Sequence, residues 1–237
     1  MYSSRIQAYL DINPFAKLSN VIAEILQGDI IAIKIPPKAK LNVNKIADDL
    51  NVSRTPVLEA LSKLASIGFI TKGKAANGYY VSGLNMRDLM NLYTARAAIE
   101  GEAAYCCAKY AGHDTIEKLE KLLPGFERTL MGKDPAIKDY DLPFHRMIID
   151  ASNNKYLISC YEHIYPTLRR YQYYCSEFLH IHKNNPWSEE IRYQHAMIVS
   201  PIKSHNGIAA REAMQTHIAS CINHATYSYV GEDPFES

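Results

Sequence analysis

Residues 41–70 read LNVNKIADDLNVSRTPVLEALSKLASIGFI, and the middle of that stretch decides what the front of the chain is. Asn42 stands where a helix cap accepts from free backbone N–H groups, with Ile46 and Leu50 at helical spacing behind it. Asn51 follows, a residue type that tolerates the left-handed conformation of a tight helix–helix turn. Ser53 then caps a second helix, and Pro56 falls in its first turn, where the N–H groups have no helical partner. At about 100° per residue, Val57, Leu61 and Leu64 share an inner face, while Arg54, Thr55, Leu58 and Ser62 face outward. Two short helices joined by a tight turn, the second offering polar groups from its first turn, predict a helix-turn-helix.

The flanks complete a small domain. Residues 1–13 read as a polar arm. In PFAKLSNVIAEILQGDI, residues 14–30, the repeat Leu18, Ile22, Ile25 and Leu26 predicts a helix that stops at Gly28, and Pro36 and Pro37 break the chain again. Downstream, GFITKGKAANGYYV, residues 68–81, reads as two short strands, Phe69–Lys72 and Tyr79–Val81, joined through the turn pair Asn77–Gly78. Lys72 and Lys74 place ammonium groups at the base of this hairpin wing, within reach of phosphates. The candidate DNA contacts are therefore Lys38, Asn44, Ser53, Arg54, Thr55, Leu58, Lys72, Lys74, Asn77 and Gly78.

Charge and cysteine usage agree with this division. Residues 1–83 carry ten Lys/Arg against six Asp/Glu, whereas the remainder is net acidic, so a basic front precedes an acidic rear. The five cysteines, Cys106, Cys107, Cys160, Cys175 and Cys221, include no CxxC spacing and are odd in number, as expected of reduced thiols rather than a disulfide frame. No segment approaches the roughly 18 apolar residues of a membrane span. A cytoplasmic protein is expected.

From Asn85 the chain reads as helices, with most breaks at Gly or Pro. Asn85 caps a helix with Asp88 in its first turn, and its apolar stripe is Leu89, Leu92, Ile99 and Ala103. Arg96 lies in the middle of that stripe, with Glu100 one turn on. The pair is either an ordinary intrahelical ion pair or a cation turned inward to meet an anion. In DYDLPFHRMIIDASNNKYL, Asp141 and His145 share one helix face, and His195 and His217 sit on two later helices. Together they would make an N/O site suited to Zn²⁺, Ni²⁺, Mn²⁺ or Fe²⁺, although His113, His163, His180, His182, His205 and His224 compete as candidates. The run YEHIYPTLRRYQYY supplies Arg169 or Arg170 as a second anion contact, and its tyrosines either line the same cavity or pack the bundle.

These motifs resemble those of GntR-type bacterial transcription regulators. Ser53, Arg54, Thr55, Pro56, Val57, Glu59, Ala60 and Leu61 match the winged-helix signature, while Asn44 and Leu58 replace residues that are usually DNA-contacting arginines. A leucine cannot bond a guanine edge; Leu58 either packs on a thymine methyl or turns inward as core. Residues 86–229 resemble the all-helical effector domain of the FadR-like subgroup, called FCD. The resemblance implies Asp141, His145, His195 and His217 as ligands of a divalent metal, and the turn Ala151-Ser152-Asn153-Asn154 matches the family pattern. Gln194 replaces a common Glu. It further implies a small carboxylate effector, for which Arg96, Glu100, Asn154 and Arg170 are the candidates.

The expected architecture is mostly α: an N-terminal arm (1–13), a winged helix-turn-helix (14–83), an all-α antiparallel bundle for effector binding and dimerisation (84–230), and a tail (231–237). The expected function is a metabolite-responsive regulator, not an enzyme. Its expected partners are double-stranded operator DNA, a second copy of itself, a divalent metal and a small carboxylate. A metal-dependent enzyme acting on an organic acid and a metal-sensing regulator are the competing readings.

Overall fold

The computed structural model of the chain describes residues 2–73, 78–130, 138–177 and 188–227. The chain divides into two compact units, Met1–Leu84 and Asn85–Ser237.

The first unit runs α1 (Tyr2–Ile12), α2 (Leu18–Ile31), β1 (Lys40–Leu41), α3 (Val43–Leu50), α4 (Arg54–Ser66), β2 (Ile70–Lys72) and β3 (Tyr79–Val81). The strands form an antiparallel sheet in the order β1-β3-β2, with Tyr79 opposite both Leu41 and Lys72. Val57, Leu61 and Leu64 of α4 are buried against Ile22, Ile25 and Ile30 of α2, so the inner face read from the sequence is the core face. In α3 the Asn42 side chain accepts from the N–H groups of Asn44 and Lys45, and Asn51 closes the helix at φ 54°.

Several expectations are corrected. The first residues are not a plain arm, because Tyr2–Ile12 is helical. Ile6 and Leu10, one turn apart, pack on the core, and Arg5 forks onto both oxygens of the buried Asp29 at 3.0 and 2.8 Å. Gly28 does not end α2. Ile30 and Ile31 continue its apolar face into the core, and that burial outweighs a glycine penalty of about 1 kcal/mol. Ser53 occupies the N-cap position of α4, but its side chain makes no capping bond. Ala47 is buried where Ile46 is only half-buried, and β2 begins at Ile70 rather than Phe69. Strand β1 was not foreseen, since two residues are too few to show a period.

The second unit is helical throughout its described residues: α5 (Met86–Tyr110), α6 (His113–Leu130), α7 (Lys138–Ala151), α8 (Lys155–Glu177), α9 (Ser188–Lys203) and α10 (Gly207–Tyr227). Asn85 caps α5 by accepting from the Asp88 N–H at 2.8 Å. Along α5 a row of small residues, Gly101, Ala103, Ala104 and Ala108, is buried, and α10 packs along this helix. Close packing of the two helices is visible at Gly101, where a Cβ would lie 2.9 Å from the Gln215 side chain. Ile99, expected on the inner stripe, is only half-buried. Prolines do not break these helices: Pro124, Pro143, Pro166 and Pro201 all lie inside one. Each removes one helical N–H, a local loss that the buried face of a long helix outweighs. No helix among the described residues is long and apolar enough to cross a membrane.

The left-handed turn between α3 and α4 is open to a direct measurement. Replacing Asn51 by Ala keeps the Cβ but removes the short polar side chain that lets asparagine occupy this conformation, which costs other non-glycine residues about 1–2 kcal/mol, so the urea midpoint of the first unit should fall. Asn51→Gly should leave it unchanged or raise it. Equal midpoints for the two variants would show that the turn does not depend on this conformation.

Candidate metal centre and nucleic-acid interface

Four side chains from three helices converge inside the second unit. Asp141 and His145 come from α7, one turn apart, His195 from α9 and His217 from α10. One ligand atom of each lies within 4.8 Å of all the others, and the three histidines are fully buried. Asp141 Oδ1 is 3.5 Å from His145 Nε2 and 3.3 Å from His195 Nε2, and the Nε2 atoms of His145 and His217 are 3.2 Å apart. Phe144 closes one side, edge-on to His195 with ring centroids 4.9 Å apart.

The ring orientations are set from behind. His145 Nδ1 meets the carboxylate of Glu100, and that carboxylate also accepts from Arg96 Nε. His217 Nδ1 faces Gln194 Oε1 at 3.2 Å. The Gln194 amide cannot be reversed, because its Nε2 donates to the Glu190 carboxylate, which only accepts, and to Ser220, each at 2.9 Å. Both Nδ1 atoms therefore carry the proton as donors, and both Nε2 atoms turn lone pairs toward each other. Such a pair requires positive charge between its members, supplied by a proton or by a cation.

Charge in the site follows from these contacts. Burial works against ionisation of Asp141, but His145, His195 and Arg96 hold its carboxyl well below the usual carboxylate range. Glu100 shows the same balance, with burial overcome by Arg96 and His145. Burial, then the neighbouring His195 and His145, push His217 well below its ordinary value, so its ring is neutral. Burial also opposes a charge on His145, but Glu100 outweighs it and raises this ring's affinity for a proton.

The donor set fits a divalent metal. Three imidazole nitrogens and one ionised carboxylate oxygen suit an ion of borderline softness, and bonds of about 2.1 Å place tetrahedral ligands about 3.4 Å apart. The separations of 3.2, 3.3 and 3.5 Å lie around that spacing. Glu100, Gln194 and Gln172 are the supports behind the ligands, and Gln172 Nε2 donates to Asp141 Oδ2 at 2.7 Å.

Of the effector candidates, Arg96 stands beside this cluster. It is only 1% exposed, its Nη2 is 4.0 Å from Asp141 Oδ2, and that Nη2 has no hydrogen-bond partner among the described residues. Glu100 is spent on Arg96 and His145, so it serves as counter-ion and support. Asn154 is not brought to the cluster by any contact: its Oδ1 accepts from the N–H groups of Tyr156 and Leu157 and so caps α8. Arg170 is buried, which lowers its pKa to about 10 against the opposing pull of Tyr171 and Asp88. Asp88 is two helical turns before Arg96 on α5, about 12 Å along the axis. Of the rival histidines, His205 bonds the Ala108 carbonyl through Nδ1 at 2.8 Å, and His180, His182 and the His224 side chain lie outside the described residues. Reading the sequence missed Gln172 and named Tyr161 only within a run whose tyrosines either line the cavity or pack the bundle. Both belong to the tyrosine-rich run, where helical period alone does not say which polar ends reach a neighbouring helix.

The first unit presents a separate face. A groove of about 640 Å³ is lined by Lys40, Asn44, Arg54, Leu58, Lys72 and Gly78, among others, so it runs between α4, the start of α3 and the wing. Arg54, Ser53, Thr55 and Asn44 are exposed. Leu58 is 40% exposed and lines the groove, which excludes the inward alternative. Lys38 is exposed, and its N–H donates to the Val81 carbonyl at 3.0 Å. Lys40 had not been foreseen and follows from the unforeseen strand β1. Lys74 and Asn77 lie outside the described residues.

Comparison with known proteins places both units. Residues 91–220 match the FCD domain, and residues 18–76 match "Bacterial regulatory proteins, gntR family". The HTH-type transcriptional repressor RspR of Escherichia coli is 27% identical over 210 residues, covering 87% of this chain and 88% of that protein. An HTH-type transcriptional regulator of Bacillus subtilis, YdhC, is 25% identical over 190 residues, covering 79% and 80%. Among solved structures, E. coli McbR/YncC has the same fold, with a TM-score of 0.70 at 19% identity over 90% of this chain and all of that one.

Gln194 tests the orientation of His217. Gln194→Leu keeps the volume but removes the acceptor, and should lower zinc affinity by about 10–100-fold in a competition titration against a chromophoric chelator. Unchanged affinity would show that His217 is oriented by packing alone.

Proposed function

Because the chain belongs to the gntR family of bacterial regulatory proteins, in the branch that carries an FCD domain, we propose that a small carboxylate bound beside a divalent metal controls its grip on operator DNA. The chain is a transcription regulator rather than an enzyme, as its two domains and its relatives agree. The finer reading rests on one observation. Three buried Nε2 atoms and Asp141 Oδ1 converge on a point with the buried guanidinium of Arg96 beside it.

Asp141, His145, His195 and His217 would hold Zn²⁺, Ni²⁺, Mn²⁺ or Fe²⁺. The ion, when bound, supplies a Lewis-acidic anchor for one oxygen of the effector. Arg96 binds the same effector as a donor, since a guanidinium suits a carboxylate and its Nη2, 4.0 Å from Asp141 Oδ2, has no hydrogen-bond partner among the described residues. That orphaned donor favours an organic acid over metal alone as the signal, because a metal-only sensor leaves it buried and unsatisfied. Effector binding then shifts the population of DNA-binding-competent states.

On the DNA side, α4 enters the major groove with Arg54 toward base edges, and Lys38, Lys40 and Lys72 lie within reach of phosphates. Leu58 packs against a thymine methyl, and Asn44 bonds an adenine edge or a phosphate. The protein acts as a homodimer on two half-sites, since a single small reader has limited affinity and specificity. The bacterial cytoplasm, where the chromosome lies, is its place of action.

Two measurements test these assignments. A thermal-shift series of small carboxylates, run with the metal-loaded protein and with EDTA, should show an acid that raises the melting temperature only when metal is present. His195→Ala should abolish the effect; if no acid stabilises the protein and elemental analysis finds no metal, the effector-site reading fails. For DNA, an operator selected from random duplexes should lose about 10-fold or more in affinity on Arg54→Ala. Exchanging one thymine for uracil, which removes only the methyl, should weaken wild-type binding and leave Leu58→Ala indifferent. Equal sensitivity of both proteins at every thymine would remove the methyl contact.

A further inference from the structure

The backbone is pinned on each side of the boundary between the two units. Ser82, just past β3, belongs to the first unit: its N–H donates to the Phe69 carbonyl at 3.0 Å and its Oγ to the Gly68 carbonyl at 2.6 Å. Asn85, which opens the second unit, has its N–H 3.2 Å from Tyr171 Oη on α8. Gly83 and Leu84 alone lie between these anchors. A link of two residues, each spanning at most about 3.6 Å, passes on a displacement that a long flexible linker absorbs.

Tyr171 is 1% exposed, and its hydroxyl also lies 2.8 Å from Asp88 Oδ2. A carboxylate only accepts, so the single phenolic proton goes to Asp88 and a lone pair of the oxygen takes the Asn85 N–H. Asn85 in turn caps α5: its side chain accepts from the Asp88 N–H at 2.8 Å and its carbonyl from the Leu89 N–H at 3.1 Å. Asn85, Asp88 and Tyr171 thus tie the start of α5 to α8.

The next residue of α8 holds a different neighbour. Gln172 Nε2 donates to Asp141 Oδ2 at 2.7 Å, while Asp141 Oδ1 is the oxygen that faces His145 and His195. Successive helical side chains point about 100° apart, and α8 packs on both α5 and α7. Two adjacent residues therefore grip the boundary between the units and the metal centre. An ion taken by Oδ1 fixes the Asp141 carboxylate, and Oδ2 then fixes Gln172. Tyr171 is joined to Gln172 by one peptide bond within a helix, so order gained by one is shared by the other. Local opening at the start of α5 becomes rarer as a result.

We propose that Tyr171 is a positioning residue that carries the occupancy of the metal centre, through Gln172, to the two-residue junction behind the DNA-reading unit. The inference rests on the metal reading above and adds a route from that site to the first unit.

Amide hydrogen exchange of the full chain, zinc-loaded and EDTA-treated, tests the link at Asn85, Asp88 and Leu89. In the wild type, zinc should slow these amides by about 5-fold or more, the lower end of ordinary coupling between sites, and by more than it slows the first turn of α6. Tyr171→Phe keeps the ring and should abolish this extra slowing, while zinc affinity in a chelator competition stays unchanged. Gln172→Leu leaves the contacts of Tyr171 with Asn85 and Asp88 in place. At zinc concentrations that saturate this variant the extra slowing should vanish too, an outcome that a purely local role for Tyr171 does not produce. Zinc binding with no extra slowing in the wild type, or slowing that survives either variant, overturns the inference and leaves the metal reading standing. Failure of the wild type to bind zinc overturns both.

Discussion

A chain of buried charges organises the second unit. Arg96, Glu100 and His145 link α5 to α7, each with essentially no exposure, and Asp141 stands beside both the arginine and His145. Removing ions from water costs several kcal/mol each, which only good geometry and further bonds offset. The bundle supplies both: Glu100 accepts from two partners, and Asp141 accepts from Gln172. That arrangement sets the tautomer of His145 and leaves its Nε2 directed at the other ligands. Helix packing around α5 is thus inseparable from the chemistry at its centre. Truncating Glu100 would strand a buried guanidinium and free an imidazole to turn.

The first unit depends on a smaller constraint. Asn51 in the left-handed region lets α3 and α4 meet at a tight turn, and the inner face of α4 then locks against α2. With Val57, Leu61 and Leu64 inside, Arg54 and Leu58 have to face outward, so packing aims the reading helix. An exposed leucine in a groove otherwise lined by Asn44, Arg54, Lys40 and Lys72 is costly to leave in water, and this is the reason to look for an apolar partner on the base side.

Local chemistry was the legible part of the sequence. The caps at Asn42 and Asn85, the turn at Asn51, the inner face of α4 and the i, i+4 pair Asp141–His145 each depend on residues close in the chain, and their signals are strong. The family resemblance was needed to select His195 and His217 from their rivals, since spacing alone does not say which helices become neighbours. What stayed hidden was tertiary. Gly28 and four prolines carry helix-breaking signals that long buried faces override, and α1 is held by Arg5 reaching Asp29 across 24 residues. Asn154 matched the family's turn, yet here its side chain is committed to capping α8. Gln172 drew no notice, and Tyr161 was not told apart from the other tyrosines of its run, because an unsatisfied atom can be seen only once its surroundings are built.

The placement of the ligands on three separate helices also bears on how the chain reaches its fold. His145 and His217 are 72 residues apart, and their Nε2 atoms end up facing each other. An ion held between them acts as a reversible clip across a long loop, and the entropy of closing that loop grows only slowly with its length. Metal in the unfolded ensemble would bring α7 and α10 together before the intervening helices have packed. The same four side chains proposed to hold the ion in the finished protein would then be placed to speed, or to misdirect, the assembly of the bundle around them.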